Sequence, residues 1–312
     1  MSEKLSGQSL QQYSQLSRNL TKSLDNKIKK EQGIYFTPLN IIEKSVNSIL
    51  GYITKHKINI KNILEPSCGS CEYIQYIDNI WKDVNIDGIE YNQTIYKNIT
   101  DLTFKNKINL FNEDYLKFTN NDKKYDLIIG NPPFFVMKKK NVKKEYSKYY
   151  DGRPNIFILF IIHSLSKLNK DGILSFILPK NFMNCLYYNK LREHINRNYK
   201  ILNILDCSTE SYIETAQDTI IFIIQNNKTR INNNNYTLQV NGYTIFNITD
   251  NIKKLQELYK NSTVLDKINF RVKVGNVVWN QVKDLLTDDT KQTRLIYSSD
   301  IVNNKLIIKK YK

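Results

Sequence analysis

The stretch Ile63-Leu-Glu-Pro-Ser-Cys-Gly69 reads as a short strand that ends in an acidic residue, turns tightly through a glycine and leads into a helix. Such a turn sets backbone N–H groups at the carboxyl edge of a sheet, where a nucleotide-like ligand can sit. Working outward, β-branched or apolar runs alternate with longer helical stretches, the pattern of βαβ units and a parallel sheet. Strands are predicted at Asn62–Leu64, Ile86–Glu90, Ile108–Asn112, Leu127–Gly130, Ile173–Leu178, Ile201–Asp206 and Thr219–Gln225. Asn155–Leu168 is apolar nearly all round, which predicts a helix buried on the sheet. The expected fold class is α/β, a Rossmann-like doubly wound sheet.

Upstream, Tyr13, Leu16, Leu20, Leu24 and Ile28 recur three or four residues apart, so residues 1–30 are expected to form one amphipathic helix. Downstream, the rhythm stops at the Asn-rich stretch from Gln225 to Asn235, which reads as a linker. The domain boundary is expected there, with residues 31–226 before it and 236–312 after it. The second region has strand-like pieces at Tyr236–Val240 and Asn276–Trp279 and a helical segment at Ile252–Tyr259. At about 75 residues it is small for an independent core and is expected to lean on the first.

The 312 residues include 46 Lys and Arg against 30 Asp and Glu, a formal charge of +16, with 41% apolar and 12% aromatic residues. That is enough apolar material for a sizeable core and gives a bias toward polyanions, although A/T-rich codons for Lys, Asn and Ile also feed the charge. Four cysteines are too few for a disulfide framework and point to a reducing, cytoplasmic compartment. Apolar runs fall short of the roughly 18 to 20 residues that span a bilayer, and MSEKLSGQSLQQYS lacks the apolar core of a signal peptide, so no membrane role is expected.

Acids close three successive strands: Glu65, then Glu90 in Gly88-Ile-Glu90, then Asp114 in Asn112-Glu-Asp-Tyr115. A carboxylate placed like Glu90 can accept both hydroxyls of a ribose, and the three together line one crevice. The chemistry is decided by Tyr125-Asp-Leu-Ile-Ile-Gly-Asn-Pro-Pro-Phe134. An apolar strand delivers Asn131, and Pro132 and Pro133 fix the backbone so that the carboxamide and a proline carbonyl face one point beside Phe134. Two acceptors and an aromatic face suit a planar ring that carries an exocyclic NH2.

These segments resemble the adenine-N6 DNA methyltransferases of the gamma arrangement, found in type II restriction-modification systems and large DNA viruses. The resemblance covers roughly residues 31–225. It implies a site-specific enzyme with a methyltransferase sheet at 31–226, a small C-terminal target-recognition region at 236–312, S-adenosyl-L-methionine as cofactor, double-stranded DNA as partner and a cognate restriction endonuclease encoded nearby. Gly33-Ile-Tyr-Phe-Thr-Pro38 looks like the motif that contacts the methionine end of the cofactor, which gives Thr37 and Pro38 that role. By the same resemblance Glu65, Pro66, Ser67 and Gly69 form the cofactor loop, Glu90 holds the ribose, and Tyr91, Asp114 and Tyr115 surround the cofactor adenine. Asn131, Pro132, Pro133 and Phe134 become the catalytic motif. Ser211-Tyr-Ile-Glu-Thr-Ala-Gln-Asp-Thr219 is similar to the segment whose aromatic residue, here Tyr212, stacks with Phe134 on a flipped base. Val274–Asn280 and Leu295–Asp300 look like parts of a compact recognition region. The family commonly has glycine where this chain has Cys71, and a side chain there is expected to crowd the cofactor loop.

The implied reaction is direct transfer: hydrogen bonds to Asn131 and the Pro132 carbonyl aim the amine at the methyl group, by positioning and oriented dipoles. Cytosine-C5 chemistry needs a Cys set after a proline, and none of the six prolines has one. A glutamine-N5 protein methyltransferase, an RNA amino methyltransferase and a catalytically silent nucleic-acid binder of the same fold are the competing readings. The glutamine enzymes typically carry their extra domain before the cofactor loop, whereas here it comes after Asn226. Lys138, Lys139, Lys140, Lys143 and Lys144 come directly after the motif and are placed to meet DNA phosphates. Cys68 and Cys71 alone are half a zinc site, and His56, His163 and His194 lack ligand spacing, so no metal is expected.

Overall fold

Successive residues of the central strands are buried on alternate faces, which builds a sheet with two apolar faces. In the computed structural model, which describes residues 12–120, 122–210, 212–227, 229, 231–271, 277 and 281–307, the first unit carries β1 (Asn62–Glu65), β2 (Asn85–Ile89), β3 (Lys107–Phe111), β4 (Tyr125–Gly130), β5 (Leu168–Pro179), β6 (Lys200–Asp206) and β7 (Thr219–Gln225). Leu64, Ile128, Phe176 and Phe222 enter one layer, which they share with α6 (Ile156–Lys167) and α7 (Asn189–Asn198). Their neighbours Ile63, Ile129, Ile177 and Ile221 enter the other, with α3 (Leu39–His56) and α4 (Glu72–Ile80). Burying helices on both faces is the doubly wound solution, and it makes β7 buried at all seven positions.

The strand order is β3-β2-β1-β4-β5-β7-β6. Neighbours from β3 through β5 are parallel, while β7 runs antiparallel to both β5 and β6. The seven strands expected from sequence are present, but a wholly parallel sheet is corrected at β7. A parallel return needs a crossover, usually through a helix, whereas the described residues between β6 and β7, 207–210 and 212–218, are turns, bends and irregular backbone, and the chain comes back the other way. Strand order reverses between β1 and β4, so the crevice opens beyond Glu65 and Gly130.

The single N-terminal helix is also corrected. Residues 1–11 lie outside the described residues, and the chain beyond them forms two helices, α1 (Gln15–Ser23) and α2 (Asn26–Gln32). Leu24 is extended, and Asp25 Oδ1 accepts from the N–H groups of Lys27 at 2.7 Å and Ile28 at 3.2 Å, so an N-cap interrupts the apolar stripe. Between α4 and β3, α5 (Gln93–Ile99) completes the first half.

The chain divides into compact units Met1–Lys260 and Asn261–Lys312. The hairpin β8 (Thr237–Val240) and β9 (Tyr243–Phe246) and the helix α8 (Thr249–Lys260) belong to the first. The physical reason is Arg192, fully buried, which donates to the carbonyls of Thr244, Phe182 and Cys185, while Phe246 stacks on Phe222 at 5.6 Å. The expected region 236–312 therefore straddles both units. The second unit contains an antiparallel pair, β10 (Ile301–Val302) and β11 (Lys305–Leu306); the strand expected at Asn276–Trp279 falls, except for Val277, outside the described residues.

Gly33 ends α2 with φ 65°, and a Cβ there would stand 2.9 Å from Phe134 N and 3.0 Å from Pro133 Cβ. Gly242 has φ 79° with nothing within 4 Å. Gly242→Ala is expected to cost only the backbone strain, about 1 kcal/mol, and Gly33→Ala about 1–3 kcal/mol more, in urea unfolding of the two variants. Equal costs would show that α2 does not press on the Asn-Pro-Pro-Phe turn.

Candidate active site

At the reversal point the loops after β1, β2, β3 and β4 enclose a cavity of about 320 Å³. Its walls include Pro66, Ser67 and Gly69 from the first loop, Glu90 and Tyr91 from the second, Asp114 and Tyr115 from the third, and Asn131 and Pro133 from the fourth. Most residues expected around a cofactor are thus brought together. Glu90 is buried, with Oε2 accepting from Gly69 N at 2.9 Å and Oε1 from Asn92 N at 2.6 Å. Burial nonetheless pushes its carboxyl up to about 7, the backbone N–H groups only moderating the rise. Tyr91 is exposed, Asp114 pairs with Lys117 at 3.2 Å, and the buried Tyr115 shares a hydroxyl hydrogen bond with Ser164 at 2.8 Å.

Three expected cofactor residues lie outside this wall. Glu65 is buried under the end of β4, where a Cβ on Gly130 would touch its Cγ at 3.4 Å. Its Oε2 has no hydrogen-bond partner, and burial, reinforced by Cys71, Glu72 and Glu90, raises its carboxyl well above the ordinary range. Pro38 is the N-cap of α3, and the Thr37 hydroxyl accepts from Asn131 Nδ2.

A second cavity, of about 130 Å³, is lined by Asn131, Pro132, Phe134 and Tyr212, with Gly33 and Tyr35 shared with the first and Thr215, Gln217 and Thr219 closing the far side. Asn131 belongs to both cavities. Its main-chain carbonyl accepts from Ser67 Oγ at 3.0 Å, its Nδ2 donates to Thr37 Oγ1 at 3.2 Å and to the Tyr35 carbonyl at 3.3 Å, and its Oδ1 is buried without a partner. Phe134 sits edge-on to Phe157 with centroids 6.0 Å apart, and Tyr212 holds Thr219 Oγ1 at 3.3 Å. Ser211 lies outside the described residues.

The segment between β6 and β7 that supplies Tyr212 is held by ion pairs from the N-terminal helices. Lys29, almost fully buried, donates to Glu214 at 2.6 Å and to the Thr21 carbonyl at 2.7 Å, and Glu210 accepts from Asn40 and Lys44. Thr215, Gln217 and Thr219 lie in the segment whose sequence resemblance singles out only Tyr212, and their spacing of two fits one side of a segment that leads into β7. Ile156 and Phe160, also on the larger cavity, keep the helical spacing of four.

The crowding expected from Cys71 is corrected. Cys71 has φ 65° and its side chain is fully buried in the apolar layer with Ile74 and Ile77, away from the cavity wall. The left-handed conformation costs a non-glycine residue about 1–2 kcal/mol, which accounts for glycine as the alternative at this turn. Cys68 and Cys71 are both free and buried, and among the described residues no cluster of three or more His, Cys, Asp or Glu side chains is arranged around a metal position. Lys138, Lys139, Lys140, Lys143 and Lys144 are all exposed, beginning one residue after the cavity-lining Met137. No helix among the described residues is long and apolar enough to cross a membrane.

The sheet order and the crevice define the fold of S-adenosylmethionine-dependent methyltransferases. A Listeria monocytogenes protein described as a putative class I enzyme of that kind superposes with TM-score 0.53 at 17% identity, covering 70% of this chain and 67% of that one. The DrdV–DNA complex gives TM-score 0.54 at 15% identity, with 67% and 28% covered. Residues 10–213 match the family described as Eco57I restriction-modification methylase, and the chain belongs to that family. It is 31% identical over 189 residues to the modification methylase CviBIII of Paramecium bursaria Chlorella virus NC1A, covering 60% of this chain and 48% of that protein. To the type II methyltransferase M.AccI of Acinetobacter calcoaceticus it is 28% identical over 262 residues, 81% and 45% of the two chains. The chain spans about half the length of these curated relatives.

Because Glu90 holds its proton to about pH 7 when folded but to about 4.5 when unfolded, its contribution to stability is full below 4.5 and is lost as pH rises through 7. Glu90→Gln does not titrate. Across that window the native protein is expected to lose roughly 2–4 kcal/mol relative to the Gln variant in denaturant unfolding. Parallel pH curves for the two would remove the raised carboxyl.

Proposed function

We propose that the chain is a site-specific DNA adenine-N6 methyltransferase that takes a flipped adenine into the smaller cavity and uses S-adenosyl-L-methionine held in the larger one. The observation that carries this reading is Asn131, shared by both cavities, with a buried Oδ1 that has no partner. A buried acceptor left empty costs about 1–3 kcal/mol. An exocyclic amino group brought to it would relieve that cost, and Asn131 stands on the wall of both cavities.

The residues of the larger cavity fit the cofactor on two counts. Its volume falls in the range of small-ligand sites. Glu90 on its wall and Glu65 beneath it are both raised by burial, a condition that a cationic ligand relieves. Glu90 would take the ribose hydroxyls, Gly69 and Ser67 would line the loop beside it, and Tyr91, Asp114 and Tyr115 would border the adenine. S-adenosylmethionine supplies an electrophilic methyl group on a positively charged sulfur.

The chain's own residues do the rest by placement. Asn131 Oδ1 and the Pro132 carbonyl accept the two amino hydrogens of the base, so its nitrogen lone pair is drawn out of the ring and turned toward the larger cavity. Pro132 and Pro133 hold that geometry with fixed φ, so little reorganises during reaction. Phe134 and Tyr212 offer faces for the flipped base, and the five lysines after Met137 meet phosphates. The modification-methylase name of CviBIII, the type II methyltransferase name of M.AccI and the restriction-modification family favour DNA over the protein and RNA alternatives. A restriction endonuclease partner and the recognition role of residues 236–312 belong to the same proposal.

The test is transfer of labelled methyl from S-adenosylmethionine to unmethylated duplex DNA of mixed sequence, followed by nucleoside analysis. Product is expected as N6-methyladenine, and Asn131→Ala is expected to lower the rate by about 100-fold or more. Cofactor binding without transfer to any duplex would overturn the reading. Phe134→Ala and Tyr212→Ala are each expected to weaken turnover on duplex DNA by about 1–3 kcal/mol. Unchanged turnover in both would take them out of the base pocket.

A further inference from the structure

A carboxamide presents two ends of nearly equal size, and catalysis by Asn131 requires that the oxygen, not the amino group, face the incoming base. Turned over, Nδ2 would point its hydrogens at those of the target amine. The chain therefore needs something that distinguishes the two ends before the base arrives. Two acceptors stand on the same side of the Asn131 side chain: Thr37 Oγ1 at 3.2 Å and the Tyr35 carbonyl at 3.3 Å from Nδ2. Oδ1, on the other end, has no partner. Thr37 is buried, sits just before the helix Leu39–His56, and lies off the walls of both cavities. Its hydroxyl is thus placed for Asn131.

We infer that Thr37 is a positioning residue for Asn131: its hydroxyl oxygen, with the Tyr35 carbonyl, captures the amino end of the carboxamide and so presents Oδ1 to the base. The inference rests on the proposed methyl-transfer reading, and it gives Thr37 a different task from the cofactor contact that the sequence resemblance implies. The Tyr35 carbonyl alone leaves the amide one bond; the hydroxyl supplies the second and satisfies both Nδ2 hydrogens. Replacing the hydroxyl by a methyl leaves one of the two hydrogens unpaired, so the reactive orientation, which the acceptor-only Tyr35 carbonyl selects, is held by one bond in place of two. The turned-over amide would instead put the carboxamide oxygen against the Tyr35 carbonyl, so neither orientation is satisfied and the side chain loses its fixed aim.

The experiment uses the full chain with Thr37→Val, Thr37→Ser, Asn131→Ala and the double variant Thr37→Val/Asn131→Ala. Single-turnover methyl transfer to duplex DNA, cofactor affinity by titration and thermal melting are measured for each. Thr37→Val is expected to slow the single-turnover step by about 10- to 100-fold while cofactor affinity stays within about twofold, and Thr37→Ser to recover most of that loss. In the Asn131→Ala background the Val substitution is expected to change the rate by less than about twofold, because a residue acting through another has nothing left to act on. The side-chain amide resonance of Asn131, identified by its absence in Asn131→Ala, is expected to exchange faster in Thr37→Val than in wild type or Thr37→Ser. An active wild type whose rate Thr37→Val leaves unchanged, a loss explained by weaker cofactor binding, or additive losses in the double variant would overturn the inference alone. A wild type that binds cofactor and methylates no duplex would overturn the methyl-transfer reading and this inference with it.

Discussion

An unpaired acceptor inside a protein is unstable toward rearrangement: water enters, a side chain rotates, or the chain shifts until a donor is found. Keeping Asn131 Oδ1 free therefore takes a rigid surround, and most of the molecule can be read as supplying it. The strand β4 is buried on both sides and ends at Gly130, so the position of Asn131 is set by the packing of the sheet. Pro132 and Pro133 remove backbone freedom just beyond it. Ser67 from the neighbouring loop fixes the main-chain carbonyl, and the turn at Gly33 packs against Pro133 and Phe134 closely enough to refuse a methyl group. Each contact comes from a different element, which is why a short motif in a loop behaves as part of the core.

The same surround sets the electrostatics. Glu65 and Glu90 are carboxyls that desolvation makes reluctant to ionise, although Glu90 accepts from two backbone N–H groups. Exposed acids would be screened by water and counterions and would discriminate weakly between ligands of different charge. Buried ones respond strongly to a neighbouring positive charge. The lysines after Met137 are exposed and behave in the opposite way, acting at longer range and through salt-sensitive attraction. Buried acids, Glu90 on the wall of the larger cavity and Glu65 beneath it, thus contrast with exposed lysines that begin one residue after the wall residue Met137.

Much of this was legible in the sequence because it depends on local pattern. The strand runs, the acids that end them, the Asn-Pro-Pro-Phe turn and the apolar helix at 156–167 are each written in consecutive residues. Where the structure departs from that pattern, a long-range or conformational effect decided. Asp25 capped a helix inside an apolar stripe that looked continuous. The link between β6 and β7, without a helix among its described residues, goes with an antiparallel strand. Arg192 drew the hairpin at 237–246 onto the first unit across an Asn-rich stretch that looked like a linker. Cys71 looked like an obstruction because its backbone conformation, which turns the side chain into the apolar layer, is not readable from its identity. Thr215 and Gln217 carry no chemical signature and acquire one only from the cavity they face.

The ion pair between Lys29 and Glu214 joins residues 185 positions apart. A ribosome delivers the N-terminal helices long before the segment that they clamp, at about 5–20 residues per second. For that interval Lys29 has no carboxylate to meet and the second cavity has no far wall. The crevice of β1 to β4 can begin to take shape on a partial chain, whereas the smaller cavity closes only after the segment between β6 and β7 has been made. The two cavities therefore differ in age: an early one made from neighbouring strands, and a late one that waits for segments about 185 residues apart to find each other.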